Sequence, residues 1–182
     1  MIDDLTLIEQ FLHSADRQAF VTLIERHRPG IRRLLYSLFV GHREDMEDAE
    51  QEILLSLYQD LHRFRGSSSF KTYLYRYSRN RAIDMLRKKG RERRALQSLY
   101  GEEPSGIAHP EEMVLLRESR QEILDILFRM EEEERTLILL KDVEELSIRE
   151  VSEIMKLPEG TVKSRLHRTR ERLANKLRGG LS

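Results

Sequence analysis

Apolar positions recur along this chain mostly at intervals of three and four residues, and strand-like alternation is weak. That period belongs to helices, so the expected class is all-α. Phe20, Leu23, Ile24 and His27 form one stripe, which ends at Pro29-Gly30. Ile31, Leu34, Leu35 and Leu38 form a second, ending near Gly41, and Ala49, Ile53, Leu57 and Leu61 line a third helix. The segment FRGSSS, Phe64–Ser69, reads as a small-residue loop, and Phe70–Lys89 as a fourth helix rich in bases and aromatics. Residues 91–110 hold Gly101, Pro104, Ser105, Gly106 and Pro110 with little periodicity, the composition of a flexible linker. Met113, Leu116, Ile123, Leu127 and Met130 mark a further helix over 111–130. The pattern thus predicts two small helical domains, residues 1–90 and 111–181, joined by the linker 91–110.

The end of the chain is the most specific part. In Ser147–Leu177, Ile148, Val151, Ile154 and Met155 put one apolar face on a helix. Ser147 with Glu150 three places later matches a capping box. Pro158 interrupts the pattern and suits the start of a second helix, because its fixed φ fits the first turn and its missing N–H is not needed there. Val162, Leu166, Thr169, Leu173 and Leu177 then share one face, while Gly160, Ser164, His167, Arg168 and Glu171 lie opposite. Two helices joined by a tight turn, the second strongly cationic, is the sequence form of a helix-turn-helix. Such a unit lays its second helix in the DNA major groove. A solvated amphipathic helix is the plain alternative for the charge row alone, and the cap and the proline break argue against it.

The formal net charge of zero conceals a block pattern. Residues 1–62 carry six cations and twelve acids, a net of −6. Residues 63–94 carry twelve cations and two acids, a net of +10. The linker region 95–110 is −2, residues 111–157 are −7, and residues 158–182 are +5. Two acidic and two basic surfaces imply two kinds of partner. The chain contains no cysteine, which excludes disulfides, thiolate metal sites and cysteine nucleophiles and fits a cytoplasmic protein. No long apolar run and no basic leader are seen, so neither a membrane span nor a signal peptide is expected.

The first basic block interleaves Phe64, Phe70, Tyr73, Tyr75 and Tyr77 with its cations. Cations track a phosphate backbone and exposed aromatic rings stack on unpaired bases, so this block suits single-stranded or melting DNA. Phe70, Leu74 and Tyr77 share a helical stripe and read as core; Tyr73 and Tyr75 point away from it. The loop Arg65–Ser69 either receives a flipped base or is a generic turn. Asp45, Asp48, Gln51 and Glu52 cluster opposite Ala49, Ile53 and Leu57, with Leu55 among them, which hints at a protein partner rather than water. His42, Glu44, Asp45 and Asp48 lack the spacing of known metal motifs, so no metal is expected. Neither a Ser/His/Asp constellation nor a glycine-rich phosphate loop occurs; the chain reads as no enzyme, with no cofactor.

Two segments together carry a resemblance. DAEQEILLSLYQDLHRFRGSSSFKTYLYRYSRNRAIDMLRKK is similar to region two, and LILLKDVEELSIREVSEIMKLPEGTVKSRLHRTRERL to region four, of the bacterial RNA polymerase sigma factors of the small extracytoplasmic-function (ECF) type. The resemblance covers nearly the whole chain and implies a transcription initiation factor. It implies that Asp45, Asp48, Gln51 and Glu52 grip the clamp helices of the polymerase β′ subunit. Arg65, Ser67 and Ser68 fall in the loop that captures a flipped base of the minus-ten element. Lys71, Tyr73, Tyr75, Arg76, Arg79 and Asn80 match the helix that recognises and opens that element. Lys163, Ser164, His167 and Arg168 match the positions that read the minus-thirty-five element. The implied partners are core bacterial RNA polymerase, through β′ and β, promoter DNA and an anti-sigma factor. Many members carry Trp where this chain has Tyr73. The alternative is a stand-alone helix-turn-helix regulator. That would need a sensor or receiver domain, and residues 1–90 lack the alternating strand–helix pattern of a receiver.

Overall fold

The computed structural model describes residues 2–40, 42–100 and 129–179, and among these there is no strand. The chain divides into two compact units, Met1–Tyr36 with Glu44–Pro104, and Ser37–Arg43 with Ser105–Ser182.

Four helices build the first unit: α1 (Asp4–Ser14), α2 (Arg17–Leu38), α3 (Arg43–Asp60) and α4 (Phe70–Tyr100). Asp3 caps α1, its carboxylate accepting from the Thr6 backbone N–H at 2.9 Å. The core is apolar and drawn from every helix: Leu7 and Ile8, Leu23, Ile31 and Leu34, Ala49, Ile53 and Leu57, then Phe70, Leu74 and Ala82 are all buried. Each fully buried aliphatic side chain contributes about 1.5–3 kcal/mol of transfer free energy. Charge pairs align the helices on that core. The Asp4 carboxylate takes the Arg26 guanidinium at 2.5 Å and lies 2.8 Å from His27 Nε2, which ties α1 to α2. Glu50 of α3 is buried and accepts from Arg28 Nε of α2 at 2.8 Å. That bond, and the glutamate charge beside it, raise the arginine's pKa above its ordinary value.

The break expected at Pro29-Gly30 is absent. A single 22-residue helix, α2, runs through Pro29. Proline removes one ladder hydrogen bond and crowds the preceding turn, at a cost of about 3 kcal/mol. Phe20, Leu23, Ile24, Ile31, Leu34 and Leu35 are buried on both sides of it. They keep one helical phase, so burial holds the helix together across the proline. The expected end of α4 at Lys89 also moves, because the helix continues to Tyr100. The first ten residues of the expected linker, 91–100, are therefore helical. Residues 101–110, and the expected helix 111–130 up to residue 128, lie outside the described residues. Helix α1 has no counterpart in the sequence expectations.

In the second unit α5 (Glu132–Ile138) passes into a π-helical turn, Leu139–Val143, followed by α6 (Ile148–Met155) and α7 (Glu159–Gly179). Helices α5 and α6 both pack on α7. Leu137, Leu140, Val151, Ile154, Val162 and Leu166 are buried among them. The expected capping box is present: Ser147 Oγ accepts from the Glu150 backbone N–H at 3.2 Å, and Glu150 accepts from Ser147 N–H at 2.9 Å. Helix α6 stops at Lys156, which adopts the left-handed conformation with φ 56°. Pro158 then precedes α7 and its carbonyl accepts from Val162 N–H at 3.0 Å.

Because Pro29 is exposed and its turn is held by packing, Pro29→Ala restores a backbone donor without disturbing the core. Urea unfolding is expected to show a gain of about 1–3 kcal/mol for this variant. A loss of stability would mean that the proline shapes α2 instead of being tolerated by it.

Candidate nucleic-acid interface

Burial decides which side chains of α4 face outward. Phe70, Thr72, Leu74, Tyr75, Ser78, Arg79 and Ala82 are buried. Lys71, Tyr73, Arg76, Tyr77 and Asn80 are half-buried and Arg81 is exposed. Three expectations for individual side chains are corrected here. Tyr75 is only 1% exposed and Arg79 8%, so neither is presented at the surface. Tyr77, expected in the core, instead shares the outer face with Tyr73 and Asn80. The turn from 73 to 77 to 80 follows one line of the helix, whereas 75 and 79 lie on the inward line.

Aromatic rings form a continuous row on this face. Phe64 and Tyr73 have ring centroids 5.1 Å apart, and Tyr73 and Tyr77 6.0 Å. Phe64 also meets Phe70 edge-on at 5.7 Å, which roots the row in the core. The Arg81 guanidinium lies 5.5 Å over the Tyr77 ring, and Lys71 Nζ 5.9 Å from the centroid of Tyr75. Burial pushes both the Tyr73 and Tyr77 phenols up, and the Asp60 carboxylate adds to the shift on each, so both stay neutral at ordinary pH.

The loop before α4 begins with a 3₁₀ turn, Leu61–Arg63, whose Leu61 is buried. Arg65 and Ser67 are exposed and Ser68 is half-buried. Gly66 has φ +70°, a left-handed conformation that a side chain would strain. Ser69 closes the loop by accepting from Thr72 N–H at 3.1 Å, an N-cap on α4. The loop is thus a pinned arch with polar side chains outward.

Three residues that the sequence pattern did not assign to this face, Asp60, Tyr77 and Arg81, complete it. Asp60, the last residue of α3, accepts from Tyr77 Oη at 2.9 Å and from Arg81 Nη2 at 3.3 Å. Arg63 Nη1 lies 3.3 Å from its other oxygen. The tyrosine hydrogen bond first, then the arginine charges, holds the Asp60 carboxyl below the ordinary carboxylate range. Tyr77 and Arg81 carry a local signal, since 73, 77 and 81 are spaced by four. Asp60 carries none; its partners are fixed by folding.

On α3 the acidic ridge is in place. Asp48, Gln51 and Glu52 are exposed, and Leu55 between them is 69% exposed. Asp45 is half-buried and accepts from Lys89 Nζ of α4 at 2.5 Å. Among the described residues no group of three or more His, Cys, Asp or Glu gathers as a metal ion would require.

Helix α7 presents Lys163, Ser164, His167 and Arg168 together on its exposed side, opposite buried Val162, Leu166 and Thr169. Ser164 Oγ donates to the Thr161 carbonyl at 3.0 Å, Arg168 Nε to the Ser164 carbonyl at 3.4 Å, and His167 Nε2 lies 3.6 Å from Glu171. The flanking arginines are engaged within their own domain. Arg165 pairs with Glu133, Arg172 with Glu134, and Arg170 with both oxygens of Asp142 in the π turn.

Residues 23–92 match Sigma-70 region 2 and residues 120–173 match Sigma-70 region 4. The chain is 32% identical to the ECF RNA polymerase sigma-E factor of Haemophilus influenzae, over 97% of this chain and 96% of that protein. It is 33% identical to the ECF RNA polymerase sigma factor SigW of Bacillus subtilis, over 90% and 91%. A crystal structure of the sigma factor RpoE with the anti-sigma factor NepR from Bartonella quintana superposes with TM-score 0.71 at 27% identity, over 87% of this chain and 96% of that one. The chain therefore belongs to the ECF family of RNA polymerase sigma factors. It is a DNA-binding transcription initiation factor.

The folded pKa of Asp60 lies below its unfolded value, so its link to Tyr77 stabilises the fold above the ordinary carboxylate range and is lost as pH falls through the lowered value. Acid titration of tyrosine near-UV dichroism should show a transition below that range in the parent chain, absent in Asp60→Asn. An identical titration in both would rule out the link in solution.

Proposed function

We propose that the two units divide the work of promoter recognition. Residues 1–90 dock on core polymerase and open the minus-ten element, residues 91–110 connect, and residues 111–181 place the minus-thirty-five element. The observation that carries this reading is the shared outward face of Lys163, Ser164, His167 and Arg168 on a helix that follows a capped tight turn. Side chains near the start of such a helix reach base edges in the major groove. Across α4, Lys71, Tyr73, Arg76 and Asn80 join Arg65, Ser67 and Ser68 of the loop as the face for unpaired bases. The buried pair Tyr75 and Arg79 support that face from beneath instead of touching DNA.

The ridge Asp48, Gln51, Glu52 with exposed Leu55 is the docking surface for the clamp helices of β′, and Asp45 sits at its edge, held by Lys89. Acids around one apolar side chain suit a basic partner with an apolar seat. The polymerase β subunit is the second contact. Capture of separated bases biases melting by mass action; no bond is made or broken, and the chain is no enzyme. An anti-sigma factor is proposed as a further partner, supported by the RpoE complex with NepR. A cytoplasmic location is proposed with these partners; among the described residues no helix is long and apolar enough to cross a membrane.

The purified chain added to core bacterial polymerase should direct transcription from a specific start in a randomised promoter library. A stand-alone regulator would give no such start. Arg168→Ala is expected to weaken upstream-element binding by about 1–3 kcal/mol with unchanged polymerase affinity. Asp48→Lys should lower polymerase affinity about tenfold and leave the DNA preference of the assembled complex intact. Interchanged effects of the two variants would overturn the division of labour.

A further inference from the structure

An acid stands within the face assigned to nucleic acid. Asp60 lies beside the most basic block of the chain, next to rings that the proposed function gives to unpaired bases. A free carboxylate there would repel phosphate. Asp60 is not free: its side chain is only 14% exposed, accepts from Tyr77 Oη at 2.9 Å and Arg81 Nη2 at 3.3 Å, and pairs with Arg63, whose Nη1 lies 3.3 Å away.

These partners come from two places. Arg63 opens the segment that carries Phe64 and the loop, whereas Tyr77 and Arg81 are a turn apart on α4. Asp60 therefore stitches the loop side to the helix side. The Tyr77 ring is held three ways: its hydroxyl by Asp60, one face by Arg81 at 5.5 Å, and its other neighbour Tyr73 at 6.0 Å. A ring held at both ends offers a stacking surface without losing rotamer freedom at the moment a base arrives.

We propose that Asp60 is a positioning residue which fixes Tyr77 and Arg81 as the continuation of the Phe64–Tyr73 row, so that unpaired promoter bases meet a preset surface. This rests on the reading of the α4 face as the site for the opened downstream element. Asp60 itself touches no DNA. Its carboxylate neutralises the inner edges of Arg63 and Arg81 and leaves their outer N–H groups for phosphate.

The test uses the full chain bound to core bacterial polymerase. Two probes come from the duplex that the parent complex enriches from a randomised library. One is the intact upstream duplex; the other is a fork junction with the downstream element single-stranded. Asp60→Ala is expected to weaken fork binding roughly 5- to 10-fold, the lower end for a lost base stack, while upstream-duplex binding stays within about twofold. Asp60→Asn, which still accepts from Tyr77 Oη, should recover most of that loss. Tyr77→Phe keeps the ring but not the hydroxyl and should weaken the fork, and the Asp60→Ala/Tyr77→Phe pair should be no weaker than the worse single variant.

Loss on both probes equally, or no rescue by Asn, would show a merely structural aspartate and overturn the proposal. Parent-like fork binding by Asp60→Ala, with Tyr73→Ala weakened, would overturn it while leaving the downstream reading intact. Parent-like binding by both, or no enriched duplex at all, would remove that reading and the proposal with it. If Asp60→Ala does not fold, Arg81→Gln on the exposed side decides. A roughly threefold fork-specific loss supports the proposal and none overturns it.

Discussion

Both outward faces of this chain depend on burying one side of a helix whose other side must stay polar. In α4 that requirement is severe, because the helix is among the most basic parts of the chain and yet packs Phe70, Leu74, Tyr75 and Ala82 into the core. The buried stripe sets the rotation of the helix, and the rotation sets which cations and rings point outward. A change of one position in that stripe would replace Tyr73, Arg76 and Asn80 with an entirely different set. The same rule governs α7, where Val162, Leu166 and Thr169 are inward and Lys163, Ser164, His167 and Arg168 outward. On the proposed reading, promoter recognition is thus a by-product of core packing read from the opposite side.

Polar bonds add precision that apolar burial lacks. Hydrophobic contact is non-directional and fixes a helix's rotation only coarsely. Glu50 with Arg28, Asp4 with Arg26 and His27, and Asp60 with Tyr77 each join two elements at one defined angle. Ser69 and Ser147 do the same at helix starts, setting where α4 and α6 begin. These bonds link segments that approach the core from different directions.

Much of this was legible in the residues. The all-α class, the capping box at Ser147, the start of α7 after Pro158 and the outward Ser164, His167 and Arg168 on that helix all follow from local patterns, and the family resemblance adds Lys163. Local pattern failed where a distant contact outweighed it. Pro29 has a strong intrinsic tendency to end a helix, but buried residues on either side carry α2 through. Tyr75 and Arg79 were misplaced because the buried side of α4 is wide, and residue type alone gives no sign that an arginine goes inward. Asp60 and the arginine–carboxylate pairs of the second unit join residues far apart in the chain, and no periodicity encodes them. Helix α1 has no such sign because its exposed Leu5 and Leu12 blur the contrast between its faces.

The pairing of Arg165, Arg170 and Arg172 with Glu133, Asp142 and Glu134 bears on how such a protein searches a chromosome. Sequence-blind attraction to DNA comes from cations that release counterions as they meet phosphate. Arginines already neutralised by their own fold contribute little to that release. On the proposed reading, α7 keeps its outward quartet for bases while giving up part of its general stickiness. Since a genome offers millions of wrong sites for each right one, muting the indiscriminate grip shortens the time spent on the wrong ones.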